Sequence, residues 1–151
     1  MPYFRLFYHL VWPTRNRDLL ISSVFENELF SYISKKASEL DCKVIEINGT
    51  EDHIHLVIEI PPKYSLSDVI KKIKGASSHE FKDLYWATGY GAFTVSERNL
   101  GAATEYVHNQ KEHHKKNTII KCYEMENEIE KRSIQSIREV GRDYEVGEDW
   151  F

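Results

Sequence analysis

CKVIEINGTEDHIHLVIEIPP, residues 42–62, carries two short runs rich in β-branched residues around a polar turn. CKVIEIN (42–48) reads as one strand, Gly49-Thr50-Glu51-Asp52 as the turn, and HIHLVIEI (53–60) as a second strand stopped by Pro61-Pro62. Strand side chains alternate, so His53, His55, Val57 and Glu59 share one face, while Ile54, Leu56, Ile58 and Ile60 share the other. The aliphatic face must pack on helices. The histidine face then points toward the open side of the sheet, with its two imidazoles roughly 7 Å apart along the strand.

Outward from this hairpin the chain alternates strands and helices. Phe4 to Trp12 reads as an aromatic and β-branched strand, broken by Pro13 and a polar stretch. From about Val24 to Leu40, Phe25, Leu29, Ile33 and Ala37 recur at helical spacing, with Ser22 or Ser23 as start signals. Ser65 caps a second helix to about Lys82, with Leu66, Val69, Ile70, Ile73 and Phe81 on or near one face. Gly89 and Gly91 open a loop, AFTVS (92–96) forms the fourth strand, and a third helix runs from about Leu100 to Lys116. The order β-α-β-β-α-β is the split, ferredoxin-like one, an α+β fold with an antiparallel sheet and helices on one face. The third helix is an addition at the C-terminal end and carries Tyr106. Residues 1–151 are expected to form a single domain, with a core over about 3–117 and an acidic, helical tail from about 118.

Composition fits a globular chain: 41% hydrophobic and 29% charged residues, with nine Tyr, seven Phe and three Trp to fill a core. Cys42 and Cys122 match no disulfide or zinc pattern and read as reduced thiols. No apolar run approaches the length of a membrane span and no leader is recognisable, so a soluble, cytoplasmic protein is expected. The net charge of −4 argues weakly against nucleic-acid binding. Its distribution tells the other way. The acidic excess gathers after Glu124, while basic residues cluster at Arg15 and Arg17, at Lys63, Lys71, Lys72 and Lys74, and at Lys111, Lys115 and Lys116.

Two stretches carry chemistry. A His-x-His strand presents two imidazoles to one ion, although taken alone the pattern is more often two exposed strand histidines. In EYVHNQKEHHKK (105–116), Tyr106 and Gln110 stand at i and i+4 on one helix face, with basic residues beside them. A phenol with a pKa of about 10 is a weak nucleophile at neutral pH, and a divalent ion on the scissile phosphate would supply the missing activation. A helix tyrosine by itself is more often a core residue. Histidines serving as acid and base in a phosphoesterase form a competing reading; it would want a second H-x-[HST] strand, and none is found.

Taken together, FYHLVWPTRNRDLLIS, NGTEDHIHLVIEIPP, SDVIKKIKGASS, WATGYGAFTVS and YVHNQKEHHKK resemble the insertion-sequence 200/605 family of single-tyrosine HUH transposases over nearly the whole chain. The resemblance implies a ferredoxin-like sheet, Tyr106 as nucleophile, and Mg²⁺ or Mn²⁺ held by His53, His55 and Gln110. It implies cleavage and rejoining of single-stranded, hairpin-bearing transposon ends through a 5′-phosphotyrosine, by a homodimer associated with the nucleoid when DNA-bound. Arg15, Arg17, Lys71, Lys72 and Lys74 are the candidate phosphate contacts, and Trp86 or Tyr90 could stack on bases. A domesticated hairpin-binding protein or a host-serving nuclease of the same fold stands as the alternative. Whether the tyrosine acts in its own subunit or its partner's is left open.

Overall fold

A computed structural model describes residues 2–112. His113, His114, Lys115, Lys116 and the expected acidic tail lie outside the described residues. In chain order the elements are β1 (Phe7–Pro13), α1 (Glu26–Glu39), β2 (Lys43–Gly49), β3 (His53–Glu59), α2 (Leu66–Glu80), β4 (Gly91–Val95) and α3 (Leu100–His108), with short 3₁₀ turns at Arg15–Arg17 and Glu97–Asn99. The strands form one antiparallel sheet in the order β2-β3-β1-β4. β1 and β2 therefore run parallel with β3 between them, which is the split β-α-β arrangement expected from the element order.

The first strand is central and buried on both faces. Leu10 and Trp12 point into a core made with Ile54, Leu56 and Ile58 of β3, Leu29, Ile33 and Ala37 of α1, and Val69, Ile70 and Ile73 of α2. The i, i+4, i+8 stripe of α1 and the Val69-Ile70-Ile73 stripe of α2 are what bring both helices to this face. Ser65 caps α2 by accepting a hydrogen bond from the Asp68 amide (3.1 Å). Ser22 Oγ accepts from the Phe25 amide in the turn before α1 (3.2 Å).

Phe7, His9 and Val11 point the other way. Here the open face expected from the sequence is not open: α3 lies across it, packing Ala103, Tyr106 and Val107 on Phe7, Val57 and Val95. The physical reason is that this face holds apolar side chains among its histidines, and the 103-106-107 stripe covers them. β2 helps by a bulge between Val44 and Glu46. The extra residue lets Val44 and Ile47 both pack on the main core, while Ile45 packs under α3. The third helix is also interrupted where a continuous one is expected. It caps at Asn109, after which residues 110–112 resume a helical turn. Among the described residues no helix is long and apolar enough to cross a membrane.

Gly49 closes β2 where the chain turns into the histidine strand. A Cβ there would lie 2.3 Å from the His53 carbonyl oxygen and 2.9 Å from Ile54 Cα, whereas one on Gly75 of α2 would meet nothing within 4 Å. Gly49→Ala is expected to destabilise the protein by about 1–3 kcal/mol through overpacking. Gly75→Ala should stabilise it by about 0.5–1 kcal/mol, as a helix-interior glycine is relieved. Urea unfolding of the two variants checks both signs.

Candidate active site

The hairpin delivers its two histidines to one place. His53 and His55 are 1% and 0% exposed, and their ring centroids stand 5.1 Å apart, inclined at 70°. The rings have leaned together from the spacing of their backbone positions. Two imidazoles ligating one ion at about 2.1 Å through Nε2 have centroids roughly 4.5–5.2 Å apart, so this spacing suits a shared cation.

Each ring is held from behind. His53 Nδ1 lies 2.7 Å from Asp52 Oδ1 and 2.9 Å from Thr50 Oγ1, and Thr50 also donates to Asp52 (3.0 Å). Arg17 approaches the other Asp52 oxygen at 3.3 Å. Burial alone would raise the Asp52 carboxyl. The hydrogen bond and charge of His53, the Thr50 hydroxyl and the Arg17 guanidinium outweigh it and hold the group well below the usual carboxylate range. His55 Nδ1 lies 2.9 Å from Nε2 of His9, a fully buried residue of β1. With both Nδ1 atoms engaged, Nε2 is the nitrogen each ring would offer a metal, a carboxylate-histidine arrangement at His53 and a histidine-histidine one at His55.

Tyr106 comes to the same spot from α3. Its ring centroid is 6.3 Å from that of His55 and 6.3 Å from that of His9, edge-on to both, and the residue is 4% exposed. In the single chain, then, the tyrosine stands beside His55 and His9 of its own subunit. Gln110, one turn beyond and past the helix cap at Asn109, is fully buried. No three His, Cys, Asp or Glu side chains gather as a ready metal cage among the described residues. The two imidazoles could hold a cation here, and a donor set of two imidazoles with an amide oxygen and open water positions would suit Mn²⁺ or Mg²⁺.

The end of α3 is clamped by polar contacts to β2 and α1. Asn48 Nδ2 donates to the His108 carbonyl (2.8 Å), Lys111 Nζ donates to Asn48 Oδ1 (2.6 Å), and Lys111 pairs with Glu26 (3.0 Å). Asn48 faces His55 across the β2–β3 pairing, so the clamp stands beside the site.

The five candidate phosphate contacts separate. Arg15, Lys71 and Lys74 line one groove of about 510 Å³ beside α2, together with Tyr85, Trp86 and Tyr90. Arg15 stacks over the Tyr85 ring at 4.3 Å. Lys72 is exposed in the groove between α1 and α2, which Lys71 also lines. Arg17 is committed to Asp52. Lys74 is engaged as well: its ammonium donates to the carbonyls of Ala87 (2.7 Å) and Gly89 (2.8 Å), pinning the loop whose Gly89 has φ 89°.

Two parts of the site were not legible from motif spacing. Asp52 reads as a turn residue, and only its place beside His53 hints at more. His9 gives a signal only in strand alternation, as a lone polar residue on the Phe7-His9-Val11 face of an otherwise apolar strand.

A four-stranded ferredoxin-like sheet with a further helix across its second face is the fold of a class of DNA transposases, and comparison with known proteins gives the family. Residues 2–110 match the family model described as transposase IS200 like, and the chain belongs to that family. It is 25% identical over 119 residues to the ISDra2 transposase TnpA of Deinococcus radiodurans, covering 71% of this chain and 85% of that protein. With the transposase for insertion sequence element IS200 of Salmonella typhimurium it shares 29% identity over 120 residues, covering 72% and 78%. Among solved structures, a putative transposase from D. radiodurans superposes with a TM-score of 0.58 at 24% identity, covering 73% of this chain and 95% of that one. A REP-associated tyrosine transposase bound to a REP hairpin gives 0.56 at 15% identity, covering 72% of each chain. These two likenesses concern the fold.

Burial lowers the Lys74 ammonium from 10.5 to about 8. The unfolded chain then holds more protons than the folded one between those values, so stability from this group rises with pH across that window. In urea titrations the wild type is expected to gain stability relative to Lys74→Met as pH is raised from about 8 to 10.5.

Proposed function

We propose that this transposase cuts and rejoins single-stranded, hairpin-bearing DNA by transesterification, with Tyr106 as nucleophile and His53, His55 and Gln110 as the holders of a Mg²⁺ or Mn²⁺ ion. The observation that carries the reading is the approach of the Tyr106 ring to His55, one of a histidine pair whose Nδ1 atoms are both engaged from behind. The family membership supports it. A bound ion would draw charge from the scissile phosphate and so favour attack by a weak nucleophile.

The chain's own residues do the rest. Tyr106 Oη bonds to phosphorus as the bond to the 3′ oxygen breaks. The phenolic proton is lost and the departing oxygen is protonated, leaving a 3′ hydroxyl and a 5′-phosphotyrosine. A second DNA hydroxyl reverses the exchange. One ester replaces another at each step, so no nucleoside triphosphate is consumed.

In the described conformation Tyr106, His53 and His55 are each less than 5% exposed. A phosphate reaches them only when α3 lifts, and the short apolar contact of Ala103, Tyr106 and Val107 together with the polar clamp at Asn48 is what the lift must break. In the homodimer that the family resemblance implies, a lifted α3 could equally serve the partner's histidines. The groove of Arg15, Lys71, Tyr85, Trp86 and Tyr90 joins cations to aromatic faces and suits an unpaired or hairpin nucleic acid. It lies beside α2, whereas the histidines face α3 across the sheet.

Incubation with single-stranded element ends and Mn²⁺, followed by a denaturing gel, is expected to give a protein–DNA adduct. Tyr106→Phe keeps the buried ring and should abolish the adduct, with a cooperative urea transition as the check that the variant folds. An adduct of equal yield in that variant overturns the role of Tyr106. His53→Ala should remove metal-dependent cleavage, and cleavage at the wild-type rate would dismiss the metal site.

A further inference from the structure

Three histidine rings meet beneath α3, and the third is on a different strand from the pair. His9 stands opposite Val57, and Val11 opposite His55, so His9 and His55 are diagonal neighbours on one face of the β1–β3 ladder. Both are fully buried. Their nitrogens approach to 2.9 Å, with the ring planes inclined by 29°. The 5.1 Å centroid separation is close to that N···N distance plus the two ring radii, so the rings meet edge to edge, as an in-plane nitrogen hydrogen bond requires.

We propose that His9 is a positioning residue of the metal site: its Nε2 accepts the proton of His55 Nδ1 and so fixes His55 Nε2 as the ligating nitrogen. The inference rests on the metal site proposed above and extends it. A neutral imidazole has one N–H and one lone pair. When Nε2 gives its lone pair to a cation, the proton must sit on Nδ1, and a buried N–H must find an acceptor. Asp52 meets that need for His53. For His55 the acceptor is the Nε2 lone pair of His9, which places the His9 proton on Nδ1. His9 is itself packed, with its ring 6.1 Å from Phe93 and 6.3 Å from Tyr106. It therefore sets the angle of the His55 ring as well as its tautomer.

The test compares His9→Leu and His9→Gln in the full chain, titrating each with Mn²⁺ and reading free Mn²⁺ by electron paramagnetic resonance, with urea unfolding as the check on folding. His9→Leu is expected to weaken Mn²⁺ binding about 10–100-fold, the usual effect of losing such an orienting partner. His9→Gln can bring an amide oxygen to the acceptor position and should recover most of that loss, which a packing role alone would not explain. Wild-type affinity in folded His9→Leu, or a Gln variant as weak as the Leu variant, overturns the proposal. Should His9→Leu fail to fold, the Mg²⁺-loaded wild type decides. Nitrogen NMR is expected to show coupling across the hydrogen bond with the proton on His55 Nδ1, and a proton on His9 Nε2 contradicts the proposal. His53→Ala separates the two levels. If it loses Mn²⁺ while His9→Leu retains it, only the role of His9 falls. If wild type and His53→Ala take up Mn²⁺ equally, or neither does, the metal site and the role of His9 fall together.

Discussion

The pairing of β1 with β3 is the constraint on which the remaining structure hangs. It sets Val11 against His55, Leu10 against Leu56 and Trp12 against Ile54. A slip by one residue would turn every side chain to the other face of the sheet, sending the histidines among the aliphatic side chains of α1 and α2. Leu10, Trp12, Ile54, Leu56 and Ile58 fix the register because all five are fully buried on one side. The same register then decides the other side, where it brings His9 diagonally to His55. Packing and chemistry are thus two faces of one ladder.

Burial of that second face has consequences for the site. Imidazoles removed from water need partners, and here they have them in Asp52, Thr50 and each other. The price of this arrangement is access, because α3 both supplies Tyr106 and closes the site. Among the described residues, a stripe of three buried side chains and a polar clamp at its C-terminal end hold this helix to the sheet.

The turn after β1 ties the basic groove to the histidines. The Thr14 amide donates to the Asp52 carbonyl, Arg15 to that of Tyr85, and Ala87 to that of Pro13, while Thr14 also pairs with Trp86. Arg17 reaches the Asp52 carboxylate from the same turn, with Asn16 and Arg17 both at φ 55°. The sequence TRNR, which reads as exposed basic residues, is in fact divided: Arg15 faces the groove and Arg17 stands behind the histidine strand.

The sequence by itself determined the order of elements, the strand alternation that puts His53 and His55 on one face, and the helix that carries Tyr106. These follow from local periodicity, since side chains two apart on a strand or four apart on a helix share a face whatever surrounds them. Family membership was legible in the same stretches. Only the tertiary structure decided that α3 covers the histidine face, that Lys74 pins a loop, that Arg17 holds Asp52, and that His9 meets His55. Each of those depends on which strands pair and in what register. Residues 46 apart in the chain, as His9 and His55 are, come into contact through long-range packing that no local pattern encodes.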